Sequence, residues 1–207
     1  MKNIGNISLL IVLALFQISF VSCTDDEEDQ TVELILTNQE IASVQFLLEE
    51  EKLARDVYVY LGDRYNHQIF KNIANSEQTH MNSVIQIMED YGIAVEYSNE
   101  AGVYYNNQIQ NLYDELIAKG NISHVDALTV GATIEDLDIS DLIQSREQTE
   151  NQDLLQLYDK LQCGSENHMR AFYSQLQLLD RSYTPQYISD EQLTEILNGA
   201  HKNCGDL

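Results

Sequence analysis

A pair of ionisable residues interrupts an otherwise apolar helical stripe near the middle of the chain. Taking every third or fourth residue in this region gives Phe70, Ile73, Glu77, His80, Val84, Ile87 and Tyr91. Residues at this spacing share one face of a helix, and a face so rich in apolar side chains must be buried. A buried carboxylate and a buried imidazole are costly unless something pairs with them. Glu77 and His80 therefore indicate either a metal site or an internal polar network.

Three other segments with helical periodicity carry the same kind of interruption. The inward group is Glu51 in the first segment, Glu135 with Asp138 one turn later in the third, and His168 in the fourth. Measured from the two predicted helical turns, these groups lie about 13 to 17 residues along their helices, or roughly 20 to 25 Å. The candidates are therefore expected to meet at one level of a helical bundle.

The whole chain is rich in helix-forming residues and contains a single proline, which predicts an all-α fold. Two helical hairpins joined by a long connection, residues 93–121, indicate a ferritin-like up-down-down-up four-helix bundle with a crossover between its second and third helices. Four long helices are predicted: residues 38–65 with Asn38 as the cap, a second ending near Tyr91, a third beginning after Ser123, and a fourth over residues 151–180. Two short helices are predicted besides, one over residues 109–119 and one after Ser189.

The N-terminal residues have the pattern of a targeting segment. Lys2 is followed by a mostly apolar run that ends in Phe20-Val21-Ser22-Cys23, which is typical of a secretory signal. Cys23 after a small residue resembles a bacterial lipobox, so we expect a signal peptide over residues 1–22 and lipidation at Cys23. An acidic tether, residues 23–37, would then connect a lipid anchor in the bacterial outer membrane, facing the periplasm or the cell surface, to a single domain over residues 38–207. Ordinary secretion with an incidental cysteine is the alternative.

The charge of the chain limits its partners. Without residues 1–22, which include one lysine, 10 basic residues face 34 acidic residues, a net charge of −24. Such a surface repels nucleic acid and anionic lipid headgroups, and it favours cations. Of the remaining cysteines, Cys163 and Cys204 form an even pair in an oxidising compartment and predict a disulfide, with two free buried thiols as the alternative. The sequence leaves the oligomeric state open.

Four sequence segments together resemble a known family. Glu51 precedes Tyr58 by seven residues, a spacing similar to the first-helix motif of rubrerythrins and bacterioferritins. The segments EEEKLARDVY (residues 49–58), SEQTH (76–80), VGATIEDLDI (130–139) and GSENHMRAF (164–172) resemble the ferritin-like domain-of-unknown-function family 2202. The resemblance covers about residues 38–190. It implies a ferritin-like fold and a di-metal centre, and the family has no settled activity.

One position departs from a symmetric ferritin-type site. A second Glu-x-x-His motif would need glutamate at position 165, where this chain has Ser165, and Glu166 points about 100° away on a helix. The expected metal ligands are Glu51, Glu77, His80, Glu135 and His168, with Asp138 as a substitute from the third helix. Glu77 or Glu135 would bridge two ions, although the missing carboxylate leaves a one-ion site open.

Carboxylate and imidazole ligands favour iron, with manganese as the alternative metal. The expected function is a di-iron centre in an envelope lipoprotein, with ferroxidase- or peroxidase-like oxidoreductase chemistry. A second hypothesis is metal capture without turnover. A third is a non-enzymatic helical surface lipoprotein whose buried glutamates and histidines pair internally, with Arg55 close enough in sequence to neutralise Glu51.

Overall fold

The computed structural model describes residues 35–206, and this part of the chain contains six α-helices and no β-strand. The all-α prediction is therefore confirmed. The elements are α1 (Asn38–Tyr65), α2 (Gln68–Asp90), α3 (Asn107–Gly120), α4 (His124–Glu147), α5 (Gln152–Gln177) and α6 (Asp190–Asn198), followed by a 3₁₀ turn (Cys204–Asp206).

Side-chain caps explain where several helices begin. Thr37 caps α1 by accepting from the backbone N–H of Glu40, and the Glu40 carboxylate accepts from the backbone N–H of Thr37. This reciprocal capping box corrects the predicted cap, Asn38, by one residue. Ser123 caps α4, where it was predicted to do so. Between α1 and α2, Asn66 adopts a left-handed conformation (φ 48°) that ends α1 and turns the chain back.

The helices pack mainly as two pairs, α1 with α2 and α4 with α5. The pairs meet through contacts of α2 with α5 and of α1 with α4, while α3 lies against α1 and α4. The buried side chains form two apolar clusters, one around Tyr58, Phe70 and Phe172 and the other around Leu48 and Met88. On α1, α2 and α5 the ionisable residues lie between the stretches that belong to these clusters. The polar groups are therefore held between two apolar layers.

Polar residues of α1 hold the connection that leads into α3. The ammonium group of Lys52 is fully buried, lies 2.6 Å from Asp56 and donates to two backbone carbonyl oxygens of the connection. The carboxylate of Glu49 accepts from the backbone N–H groups of Tyr105 and Asn106 at 2.7 and 2.8 Å. Because these partners lie just before α3, they fix where that helix starts.

The C-terminal segment is held to α4 and α5. The Asp136 carboxylate accepts from the hydroxyl of Tyr183 at 2.7 Å and from the backbone N–H of Ile188 at 2.9 Å. A disulfide joins Cys163 in α5 to Cys204 in the 3₁₀ turn, with an S–S distance of 2.07 Å. The segment after α5 is thus tied down at two separate points.

The signal peptide, residues 1–22, the lipidation site Cys23 and nearly all of the tether lie outside the described residues. The last tether positions are part of the folded unit, because Leu36 is buried and Thr37 caps α1. Within residues 35–206, no helix combines the length and the apolar character that crossing a membrane requires.

Candidate metal centre

Glu77 lies between two histidines from different helices. Its Oε2 is 2.8 Å from Nδ1 of His80, one turn along α2, and its Oε1 is 2.9 Å from Nδ1 of His168 in α5. Only 2% of the Glu77 surface is exposed. Each oxygen of one carboxylate therefore faces a different imidazole, as expected for a carboxylate shared between two binding positions.

Two triplets of potential metal ligands share Glu77. The first joins it to Glu51 and His80, and the second joins it to Glu135 and His168. Within each triplet the ligand atoms lie within 4.8 Å of one another, and every residue is buried. Nδ1 of His80 is 3.2 Å from Glu51, and Nδ1 of His168 is 3.5 Å from Glu135. The structure thus brings together all five of the main residues that the helical stripes singled out.

Several atoms in this cluster have no hydrogen-bond partner. They are Glu51 Oε1, Glu77 Oε1 and His168 Nδ1, all shielded from solvent. Glu77 Oε1 and His168 Nδ1 are only 2.9 Å apart, yet their alignment does not satisfy hydrogen-bond geometry. Buried polar atoms are almost always hydrogen-bonded, so orphaned atoms in both ligand triplets need an explanation. Cations bound by the two triplets supply that explanation.

Basic side chains do not neutralise the cluster. Among residues 35–206, the lysines and arginines in ion pairs contact other acids. Arg55, expected as a partner of Glu51, instead places its guanidinium 2.7 Å from Asp56 and donates to Gln78 at 2.8 Å. The structure therefore does not show the Arg55–Glu51 pair that the internal-pairing alternative invoked, because Asp56 is the nearer acid on the same helix.

The pKa values of the cluster reflect this balance of burial and charge. Burial raises the pKa of Glu51 to about 7, although His80 acts in the opposite direction. Burial would also raise the pKa of Glu77, but the adjacent His168 and His80 lower it below its usual value. Burial by itself lowers the pKa of His168, whereas Glu77 and Glu135 raise it to about 10. Without a metal, protonated histidines are the cations that stabilise these carboxylates.

Asp138 lies beside the cluster, where Ser165 replaces the glutamate of a symmetric site. The hydroxyl of Ser165 is fully buried and donates to Asp138 Oδ2. Burial, followed by the nearby Glu51 and Glu135, raises the pKa of Asp138 well above its usual value. Glu166 points away and pairs with Lys202 at 2.7 Å. A carboxylate from α4 thus lies where α5 carries only a hydroxyl.

Contacts around the cluster orient its side chains. The hydroxyl of Tyr58 donates to Glu135 Oε1 at 2.5 Å, and Nε2 of His168 is 3.0 Å from Oγ of Ser76. Since Nε2 of His168 is engaged by Ser76, Nδ1 is left to face Glu77. A Cβ atom at Gly164 would lie 2.5 Å from Nε2 of His80, so only glycine leaves room for that ring.

Sequence reasoning missed Ser76 and Gly164 as parts of this site. Ser76 directly precedes Glu77, and Gly164 lies four residues before His168. Neither residue type is itself a strong metal ligand, so the search for carboxylates and imidazoles passed over both. Their positions close to Glu77 and His168 in the sequence could have indicated that they lie at the site.

Over residues 35–206, the fold and this cluster define an all-helical domain with buried glutamate and histidine groups that could hold a metal ion. The chain belongs to the family described as uncharacterized protein domain DUF2202, whose sequence profile matches residues 40–200. It is 51% identical over 153 residues to the uncharacterized protein MJ0754 of Methanocaldococcus jannaschii, covering 73% of this chain and 83% of that protein. The crystal structure of hypothetical protein MJ0754 is similar, with a TM-score of 0.80 and 46% identity, covering 82% of this chain and 97% of that one.

Proposed function

We propose that the cluster binds two metal ions, with Glu77 as the shared ligand. The observation that carries this proposal is the position of the Glu77 carboxylate, with one oxygen 2.8 Å from His80 and the other 2.9 Å from His168. One ion would be held by Glu51, Glu77 and His80, and the other by Glu77, Glu135 and His168. Asp138, oriented by Ser165, would complete the set of carboxylates.

The charges of the cluster support two ions rather than one. Four carboxylates, those of Glu51, Glu77, Glu135 and Asp138, carry four negative charges when ionised. Two divalent ions with neutral histidines balance this charge, whereas one ion would leave the rest to be offset by protons on the histidines or carboxylates. Because lysine and arginine are engaged elsewhere in the described domain, a second metal ion is the simplest source of the missing positive charge.

The helix packing supports a ferritin-like arrangement of the four long helices. The pairs α1–α2 and α4–α5 pack most extensively, and a segment of 16 residues followed by α3 separates the pairs. We therefore propose an up-down-down-up bundle in which α3 is part of the long crossover. In such bundles, inward glutamates and Glu-x-x-His pairs on facing helices form dinuclear sites.

The donor set favours iron, with manganese as the alternative. Carboxylate and imidazole ligands suit these metals, whereas sites rich in cysteine thiolate select others. Iron held by these residues would supply redox chemistry toward dioxygen or peroxide, as a ferroxidase- or peroxidase-like function requires. The chain would contribute a closed apolar environment, and the hydroxyl of Tyr58 as a proton donor to Glu135.

We further propose that the domain works at the cell envelope of a bacterium, anchored through a lipid on Cys23. The apolar run before Cys23 and the acidic segment after it support this location. The strongly acidic composition would concentrate cations near the protein. Processing at Cys23 can be tested by mass spectrometry of the protein isolated from membranes.

Elemental analysis of the soluble form that begins at Thr24, loaded anaerobically with ferrous iron, tests the metal proposal. We expect two ions per chain in the wild type, none after Glu77→Ala, and at most one after His168→Ala. Glu115→Ala and His201→Ala replace exposed residues of the same types and should retain both ions. Circular dichroism must show that each variant is folded.

Two results would contradict the dinuclear proposal in different ways. One ion in the wild type would favour the mononuclear alternative. A folded wild type without bound iron or manganese would favour the non-enzymatic lipoprotein, whose support is the set of close contacts between the histidines and carboxylates. If two ions bind but ferrous iron consumes no oxygen, metal capture without turnover becomes the better description.

A further inference from the structure

A small apolar pocket lies beneath α3, between α1 and α4. Its cavity volume is about 20 Å³, compared with the 10–15 Å³ or so that a single water molecule needs. It therefore has room for one molecule of roughly diatomic size. The apolar residues of its wall include Leu53, Ala54, Ile109, Leu112, Leu116 and Ile134.

The pocket is next to the candidate metal centre. Ala54 lies one helical turn after Glu51, and Ile134 directly precedes Glu135. Asp138, which Ser165 holds beside the cluster, forms part of the pocket wall. A molecule in the pocket would therefore lie next to the α1 and α4 side of the metal centre.

The chemistry of the wall selects among small molecules. Thr133 and Tyr187 bring hydroxyl groups to the wall, and the hydroxyl of Thr133 already donates to the carbonyl oxygen of Thr129 at 2.8 Å. Glu50 and Asp138 are carboxyl groups, which disfavour anions. Most of the wall is apolar, so hydrogen peroxide would replace only part of the hydrogen bonds that it makes in water. A hydrated divalent ion is too large for a space of this size.

The outer wall of the pocket is fixed by the fold. Ile109, Leu112 and Leu116 recur at helical spacing and present one face of α3 to the pocket. The start of α3 is in turn held by Glu49, whose carboxylate accepts two backbone hydrogen bonds. Because α1 anchors the chain at the start of α3, the pocket is preformed rather than a passing gap between loosely packed helices.

We propose that this pocket admits and holds one small, uncharged, apolar molecule of the dioxygen class beside the metal centre. This inference rests on the proposed function, and it identifies dioxygen rather than peroxide as the oxidant that the site receives. Ala54 on α1 and Leu112 on α3 both line the pocket, so a larger side chain at either position would fill it.

Xenon binding to the metal-free protein tests the pocket without using catalysis. Xenon occupies small apolar cavities, so we expect ¹²⁹Xe NMR and crystals under xenon pressure to show one site lined by Ala54 and Leu112. Ala54→Leu should abolish this site, and Ala42→Leu, the same change at an exposed position of α1, should retain it. Absence of xenon from the wild-type pocket, or its retention after Ala54→Leu, would overturn the proposal.

The rate of oxygen consumption by the ferrous-loaded protein gives a second readout. We expect Ala54→Leu, and Leu112→Phe as a variant farther from the ligands, to slow the reaction with dioxygen by at least about tenfold. Metal content and the reaction with hydrogen peroxide should be unchanged. Equal slowing with both oxidants, or no slowing with dioxygen, would contradict the assignment. If the wild type binds no metal, the proposed function fails, whereas the xenon result still decides whether the pocket accepts an apolar molecule.

Discussion

Asp136 and Glu77 are both buried carboxylates, but their surroundings differ in kind. Asp136 is fully buried and accepts four hydrogen bonds, from the hydroxyl of Tyr183 and from three successive backbone N–H groups of residues 186–188. Glu77 has two imidazoles and two other carboxylates as its neighbours, and its Oε1 has no hydrogen bond. Burial alone therefore does not identify a metal ligand. The supply of protein hydrogen-bond donors separates a structural carboxylate from a candidate ligand.

The two kinds of carboxylate are also neighbours in sequence. Glu135 faces the metal cluster while Asp136 faces the C-terminal segment, because successive helical residues point about 100° apart. On α1, Glu51 and Lys52 divide in the same way between the cluster and the connection before α3. Both α1 and α4 therefore use one face for the candidate metal centre and another to hold a connecting or terminal segment.

The largest expected change in stability is that of Asp136→Ala, which removes a structural carboxylate and leaves the candidate metal ligands in place. Removing this acceptor leaves buried N–H and O–H donors without a partner, which should lower the free energy of unfolding by about 4 kcal/mol. Urea unfolding of the metal-free protein measures the effect, with Glu115→Ala as the exposed control. A loss of less than about 1 kcal/mol would show that Asp136 is not the main anchor of the C-terminal segment.

Metal binding should stabilise the fold through Glu77 and not through an exposed glutamate. A divalent ion at 100 times its dissociation constant should raise the free energy of unfolding by about 2.7 kcal/mol for each occupied site. Urea unfolding with and without manganese should show this gain in the wild type and in Glu115→Gln. Glu77→Gln, which removes the shared charged ligand, should not gain stability. Equal gains in Glu77→Gln and the wild type would place the ions elsewhere.

Metal affinity should rise with pH. Neighbouring carboxylates raise the pKa of His168 from 6.5 to about 10 despite its burial. Its proton therefore stabilises the metal-free fold below pH 6.5, and this stability declines as the pH rises toward 10. Because a metal must displace that proton, its affinity should increase about tenfold per pH unit for each proton released. Calorimetry in buffers of different ionisation enthalpy counts the protons, and an affinity independent of pH would contradict direct ligation by His168.

The smallest expected effect is a loss of metal affinity when the hydroxyl that holds the Asp138 carboxylate is removed. Ser165→Ala removes the donor to Asp138 and should weaken manganese binding by about tenfold, without releasing either ion at saturation. Ser165→Thr keeps a hydroxyl and serves as the matched variant. If both variants bind manganese as tightly as the wild type does, Asp138 is not positioned by residue 165.

The helical stripes predicted which buried residues the structure brings together, because a charged residue among apolar neighbours on one face is a strong local signal. Glu51, Glu77 and His168 were found in this way. Lys52, Asp56 and Asp136 were not, because they lie on other faces and their partners are loops about 50 residues away in sequence. The partnership of Ser165 with Asp138 was also missed, since it depends on the relative rotation of α4 and α5 rather than on either helix alone.

On α1, residues that face the candidate metal centre alternate along the sequence with residues that hold the connection before α3. Residues 49–58 are expected to form one unbroken conserved block in an alignment, although only some of them would serve metal binding. A relative that lost its metal could keep Glu49, Lys52 and Asp56 to hold its connecting segment. A relative with a rebuilt crossover could keep Glu51 and Tyr58 alone. Conservation in this block would therefore reflect two separate roles, and sorting its positions according to helix face would tell them apart.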